Sequence, residues 1–341
     1  MVLRRYLCGR RLCLEGLTWM VFLSLCVAVY YSLDPPDVRT SVEEVTLPAR
    51  WMLSDQLTQR LDHRRHHLQK MCKKYGLDVS TPVNHIWSAG FVVSREHSLV
   101  WCPVYKAASS TWLWNFNLLA GYTQADLLDN IHRPLPMARE KYPSPSLAEL
   151  KSVLAGSPPP LSFMIARHPL LRLVSAYRNK LLVDRKNYRQ TVRTMKSRHP
   201  ELGATGPWGW LESLPLHIGI PTFRQFVQYL LERYAKHLPL NEHWIPATSY
   251  CTPCLINYTV LAKVETLEED AKYIIFTSGI QGIVAPRVIN RSQDGATSDL
   301  ADHYLCQLSH DQMTKLIDLY KYDILLFEYD IQRYLDCTAN K

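Results

Sequence analysis

Residues 98–121 read SLVWCPVYKAASSTWLWNFNLLAG. Ser98–Val104 is a short apolar run of the kind found in a buried parallel strand. The loop KAASSTW follows, and then Trp112, Leu113, Phe116, Leu119 and Ala120 fall at helical spacing, with Gly121 as the stop. Strand, tight loop and helix are the first half of a βαβ unit. The same pattern returns at Leu161–Arg167 (LSFMIAR), where His168-Pro169 opens a helix running through Leu182. Tyr258–Val264 reads as a further strand. Thr266 with Glu269, and Ser309 with Gln312, have the spacing of helix-capping boxes. Strands alternating with helices predict an α/β fold, a mainly parallel sheet flanked by helices on both faces.

Working outward, the catalytic region starts near Phe91, and Pro48–Leu77 carries Trp51, Leu53, Leu57, Leu61, Leu68 and Met71 among basic residues. This predicts an amphipathic helix, which packs on its own domain or pairs with a second copy in a homodimer; the first use is preferred. Residues 17–33, LTWMVFLSLCVAVYYSL, are uncharged and follow Arg4, Arg5, Arg10 and Arg11. Their length approaches a bilayer span, and the leading arginines keep the N-terminus cytosolic. The expected organisation is therefore a cytosolic tail at 1–16, a transmembrane helix serving as signal anchor at 17–33, a stem with an amphipathic helix at 34–85, and a luminal domain at 86–341. A cleaved signal peptide is the alternative, weakened by a poor cleavage pattern. Asn187–Pro215, rich in Arg, Gly, Pro and Trp, reads as a long surface loop. No repeat or low-complexity tract interrupts the chain.

The composition suits a globular domain: 47% hydrophobic and 21% charged over 341 residues. The formal net charge is +8; four arginines against Glu15 place +3 of it ahead of the apolar run, which leaves +5 for the rest. That excess fits an anionic ligand without naming one. Six cysteines fall in the luminal part, namely 72, 102, 251, 254, 306 and 337, an even number in an oxidising compartment, with the pairing open. Sequons at Asn257 and Asn290 agree with that compartment.

The loop from Pro103 to Trp112 holds the chemistry. Successive N–H groups of Tyr105, Lys106, Ala107, Ala108, Ser109, Ser110 and Thr111, with a helix dipole behind them, make a cradle for a phosphate dianion. Lys106 can reach a bridging oxygen of a transferring group. The Walker pattern is missing, because no Gly-Lys-Ser/Thr follows, so a metal-assisted nucleoside triphosphatase is disfavoured. Taken alone, a plain strand-to-helix turn with one lysine is the bland reading. Arg167 at a strand end and Ser175 two turns into the next helix supply a guanidinium and a hydroxyl for a second phosphate. Leu170, Leu171, Leu173 and Val174 read as packing, and Arg172 and Arg178 as surface charges at even weight.

These two segments resemble the 5′-phosphosulfate and 3′-phosphate motifs of Golgi carbohydrate sulfotransferases. RLVSAYRNK (172–180) is similar to the chondroitin and dermatan 4-O-sulfotransferase group, which includes the natural-killer-epitope sulfotransferase. The likeness continues through Asn241-Glu-His-Trp244, Cys251-x-Pro-Cys254, the Lys263–Asp270 segment and Tyr320-Lys-Tyr-Asp323, and covers roughly 68–335. One departure stands out: Tyr105 occupies the place of the family's usual proline before the lysine.

The resemblance implies a P-loop-like sulfotransferase fold and a Golgi membrane location with the catalytic domain luminal. It implies 3′-phosphoadenosine 5′-phosphosulfate as co-substrate, with no metal. The implied acceptor is a glycan, by default a glycosaminoglycan of chondroitin type sulfated on an N-acetylgalactosamine 4-hydroxyl; no nucleic-acid partner is expected. Lys106 would stabilise the departing phosphate oxygen. The base is expected to be His132, in the segment after the first helix, with His243 as the rival; Trp244 beside it suggests packing or acceptor stacking. A type II glycosyltransferase would share the topology, but no Asp-x-Asp occurs. The remaining alternative is a luminal glycan-binding or inactive sulfotransferase-like protein, favoured only by Tyr105.

Overall fold

The computed structural model describes residues 54–81, 85–183, 185–202, 220–285 and 297–339. Four strands form one sheet in the order β1 (Val92–Ser94), β2 (Leu99–Cys102), β3 (Leu161–Ala166), β4 (Val260–Lys263). The edge strand β1 is antiparallel to β2, while β2, β3 and β4 are parallel. Every residue of β2 and β3 is buried, which is why both read as near-continuous apolar runs, interrupted only by Ser162, rather than as alternating ones. In register, Cys102 lies opposite Met164, and Ala166 opposite Lys263. The carboxyl ends of the three parallel strands therefore open on one edge, where the connections to the following helices begin.

Helix α1 (Asp55–Tyr75) starts at Ser54, whose side chain caps Leu57 N–H, and ends at Gly76 in the left-handed conformation. It buries Leu57, Leu61, Leu68 and Cys72, and it also buries Arg64. That arginine meets the fully buried carboxylate of Asp270 at 2.7 Å, and Arg60 reaches the same carboxylate at 3.0 Å. The predicted amphipathic helix is thus docked on its own domain.

From β2 the chain enters α2 (Ser109–Leu119), passes through α3 (Gln124–Asp129), α4 (Pro134–Lys141) and α5 (Leu147–Leu154), and returns to β3. After β3 come α6 (Pro169–Ala176) and a π-helical stretch, Tyr177–Val183. The supposed loop at 187–215 is in its described part mostly helix, α7 (Arg185–Arg198), followed by a 3-10 turn at Pro200–Leu202. Residues 203–219 lie outside the described residues. Tyr188, Val192 and Met195 provide the stripe: Val192 and Met195 are buried in a second, helical core with Leu170, Leu173, Phe226 and Trp244. Helices α8 (Phe223–Ala235), α11 (Thr297–Leu305) and α12 (His310–Leu319) complete that core. The first core is built on the sheet, with Trp101, Trp112, Phe116 and Phe163 in mutual ring contact.

Between the strands β3 and β4 also lies α9 (Ala247–Cys251); β4 leads to α10 (Leu267–Thr277), and α13 (Lys321–Leu326) and α14 (Gln332–Thr338) end the described chain. The Ser309–Gln312 capping box forms as expected. The one expected at Thr266 does not: its hydroxyl donates to Asp270 at 2.7 Å instead, because the buried carboxylate is the stronger acceptor. The six cysteines pair as Cys72–Cys254, Cys102–Cys251 and Cys306–Cys337. The expected span at 17–33 and the sequon at Asn290 lie outside the described residues, whereas Asn257 is exposed. Among the described residues no helix is long and apolar enough to cross a membrane.

Candidate active site

The loop between β2 and α2 is held in an unusual backbone state. Lys106 and Ala108 have φ of 69° and 58°, in the left-handed region, though neither is glycine. Such a residue costs on the order of 1–3 kcal/mol and persists only where its surroundings impose it. Two buried or half-buried guanidiniums impose it here. Arg167, at the end of β3, donates to the Lys106 carbonyl at 3.0 Å. Arg172, on α6, donates to the Tyr105 carbonyl at 3.3 Å. With those carbonyls turned toward the arginines, the loop leads into the first turn of α2, whose N–H groups have no partner within the helix.

Arg172 is not a surface charge. It is 1% exposed, and besides Tyr105 it donates to the carbonyls of His243 at 3.2 Å and of Ile245. It thereby joins the lysine loop to the segment 241–245. That segment is braced from behind by the Tyr320–Asp323 motif. Tyr320 donates its hydroxyl to the Trp244 carbonyl, and the buried Asp323 carboxylate accepts from Ala247 and Thr248 N–H at 2.8 Å each. Trp244 is buried against Phe226 and Tyr188, so its role is packing.

The site is electropositive. Lys106 is pushed down to about 8, first by burial and then by Lys180 and Arg167. His243 is pushed down to about 3 by burial, then by Lys180, Lys106 and Arg172. Four cationic groups thus act on one another with Glu265 and Glu242 as the nearby acids. Glu265 accepts from His168 N–H at 3.0 Å and from Tyr329 at 3.2 Å. A cluster of mutually repelling cations beside a strained amide loop fits a polyanionic ligand. Among the described residues, no three His, Cys, Asp or Glu side chains are grouped to hold a metal ion.

His243 has a defined tautomer. Asn241 Oδ1 accepts the His243 backbone N–H at 3.0 Å, which fixes that atom as the amide oxygen. The same oxygen lies 2.7 Å from His243 Nδ1, so Nδ1 carries the proton and Nε2 keeps the lone pair. The imidazole ring lies 4.9 Å from the Tyr105 ring. His132 is placed differently. It stands exposed in the turn between α3 and α4, and that turn follows a helix packed through Leu127 against Trp114 on α2. No hydrogen bond or ring contact joins His132 to the lysine loop among the described residues.

Of the residues named from sequence, the structure brings Tyr105, Lys106, Arg167 and His243 together, with Ala107 buried and Ala108, Ser109, Ser110 and Thr111 leading into α2. Ser175 is half-buried on α6. Arg172 and Asn241 were missed as site residues, since both act through backbone carbonyls or ring geometry that no motif spells out. A cavity of about 260 Å³, lined by residues that include Ser94, Arg95, Glu96 and Lys141, shares no residue with this site.

A sulfotransferase family model matches residues 89–330, which takes in the whole sheet from β1 and every site residue named above. Carbohydrate sulfotransferase 11 of Rattus norvegicus is 31% identical over 254 residues, covering 72% of this chain and 68% of its own. Carbohydrate sulfotransferase 8 of Homo sapiens is 29% identical over 309 residues, covering 87% and 68%. Carbohydrate sulfotransferase 9 of Homo sapiens is 27% identical over 311 residues, covering 86% and 65%. No solved structure matches the chain. A matched span that contains the strained lysine loop, Arg167 and the 241–245 segment, together with relatives aligned over most of their length, makes this chain a member of the sulfotransferase family.

Proposed function

We propose that the chain transfers a sulfuryl group from 3′-phosphoadenosine 5′-phosphosulfate to a glycan hydroxyl, with Lys106 at the leaving phosphate and His243 as base. The observation that carries this reading is the lysine loop itself: two left-handed residues, pinned by Arg167 and Arg172, beside a Lys106 ammonium that burial, Lys180 and Arg167 all act against. In the transfer, the acceptor oxygen forms its bond to sulfur as the sulfur–oxygen bond to phosphate breaks. Lys106 holds the charge that develops on the departing oxygen. The hydroxyl proton goes to His243 Nε2, with Asn241 orienting the ring through Nδ1–H.

At about 3, His243 in the ligand-free site would be a poor base near neutral pH. Part of that depression comes from Lys180, Lys106 and Arg172, and the donor's phosphates would offset those charges. Its basicity should therefore rise when the donor is bound. Names of the relatives support a carbohydrate acceptor; chondroitin-type N-acetylgalactosamine with 4-O-sulfation is the default choice. We assign the domain to the Golgi lumen behind an anchor at 17–33, a reading supported by that uncharged run and by three disulfides.

The test is labelled sulfate transfer to a panel of desulfated glycans, with His243→Ala and His132→Ala beside the unaltered chain. His243→Ala should abolish transfer and still bind 3′-phosphoadenosine 5′-phosphate, while His132→Ala turns over normally. The opposite pattern would make His132 the base. Absence of transfer to every glycan by the unaltered chain would sink the enzyme reading.

A further inference from the structure

We propose that Trp87, Tyr250 and Tyr105 form a wall for the acceptor glycan, with Trp87 as the stacking platform for a sugar beside the one that reacts. This rests on the sulfotransferase reading and names the acceptor-binding residues for it. The rings run in sequence from the surface to the base. Trp87 contacts Tyr250 edge-on at 5.0 Å, Tyr250 contacts Tyr105 at 6.1 Å, and Tyr105 lies 4.9 Å from His243. The inner end is buried and the outer end is open: Tyr250 is 5% exposed, whereas Trp87 is 47% exposed.

An exposed indole is unremarkable on a loose loop, but this one stands on a fixed turn. Arg139 donates to the carbonyls of Ala89, Gly90 and Phe91 at 3.1, 3.1 and 2.7 Å, which pins the 3-10 turn Ser88–Gly90 behind it. The corner is also closely packed. A Cβ on Gly90 would sit 3.2 Å from the Tyr250 hydroxyl and 3.3 Å from the Trp87 ring. A rigid, half-open aromatic surface loses little conformational entropy when a ligand settles on it. The apolar C–H face of a pyranose is the ligand face that such a surface recognises, while polar groups at its rim take the hydroxyls. Glu242 is placed for that second task, since its carboxylate lies 3.5 Å from His243 Nδ1, at the inner end of the wall.

Position 105 ties the wall to this particular chain. A proline there, as the resembling family usually has, carries no aromatic ring to join His243 to Tyr250. Tyr105 therefore extends the wall inward to the reacting hydroxyl, and it should shape which acceptors are accepted.

The experiment measures acceptor and donor KM for the full chain and for Trp87→Ala, Trp87→Phe and Tyr105→Pro, using desulfated chondroitin oligosaccharides and a neutral glycan ending in N-acetylgalactosamine as probes. Trp87→Ala should raise acceptor KM by about tenfold, the effect of losing one aromatic contact, with donor KM unchanged. Trp87→Phe should recover most of that loss, and Tyr105→Pro should alter the ratio between the two acceptors. An acceptor KM in Trp87→Ala equal to that of the active unaltered chain overturns the wall alone; an unaltered chain that transfers to no glycan overturns the sulfotransferase reading. Oxidation of the unaltered chain by N-bromosuccinimide, mapped by mass spectrometry, gives a readout that needs no variant to fold. Acceptor oligosaccharide should protect Trp87, and equal oxidation with and without it counts against the proposal.

Discussion

Lys106 carries its charge where the fold opposes it. Burial, Lys180 and Arg167 bring it from 10.5 to about 8. Because the folded value lies below the unfolded one, the unfolded chain holds the proton more tightly. Stability is therefore reduced as pH falls from about 10 toward 8, and the reduction is fully present at pH 7. An anion bound at the loop would reverse this. Replacing the lysine by the uncharged Met should then stabilise the ligand-free chain by on the order of 1–3 kcal/mol at pH 7, and so raise its thermal midpoint. The same variant should lose both transfer and the stabilisation given by 3′-phosphoadenosine 5′-phosphate. Thermal melts with and without the nucleotide check both halves. A Lys106→Met chain that melts lower than the unaltered one, or one still stabilised by nucleotide, would remove Lys106 from the donor site.

At the scale of elements, the site depends on α6 gripping two segments at once. Arg172 sits in the apolar run Leu170–Val174, and its guanidinium bonds three carbonyls, at Tyr105, His243 and Ile245. Removing it leaves those carbonyls short of a donor in a buried place, which costs about 1–3 kcal/mol, more where a charge was involved. Arg172→Ala should lower kcat as well as stability, because the lysine loop and His243 lose their common anchor. Arg172→Lys should restore stability further than it restores kcat, since one ammonium cannot span the sites that the guanidinium fork reaches. Thermal midpoints and steady-state kinetics of the two variants separate the effects; equal recovery of both would reduce Arg172 to a core residue. This is also where the sequence is least legible. β2 and β3 are readable because short runs that are apolar but for Ser162, each followed by a tight turn into a helix, admit few other folds. Arg172 leaves no such trace, since carbonyl partners have no residue identity, and its neighbours Arg167 and Arg178 look equally charged on paper. α7 was hidden by composition, although Tyr188, Val192 and Met195 carry a helical stripe. His243 lies far along the chain from Lys106, and only tertiary structure brings the two into one field.

Across the whole molecule, the disulfides divide into a pair around the site and one apart from it. Cys102 ends β2, one residue before the loop that carries Lys106, and it is bonded to Cys251 at the end of α9, next to Tyr250. Cys254, three residues on, is bonded to Cys72 of α1. Cys306–Cys337 instead joins the end of α11 to α14, beside the helical core. Removing any one of these typically costs about 2–5 kcal/mol, so a loss of stability alone would not tell them apart. Their positions should. With Cys102 and Cys251 both changed to Ala, the start of the lysine loop and the helix bearing Tyr250 can separate, so Lys106 and the aromatic wall lose their shared frame. Specific activity measured well below both melting points should fall steeply in that variant, with acceptor KM raised. The variant with Cys306 and Cys337 changed to Ala should melt lower too, yet keep its kcat while folded. If the two variants lose activity only in proportion to their thermal midpoints, the frame of the site is held by Arg172 and the Tyr320–Asp323 brace, and the Cys102–Cys251 bond stabilises the fold without positioning the chemistry.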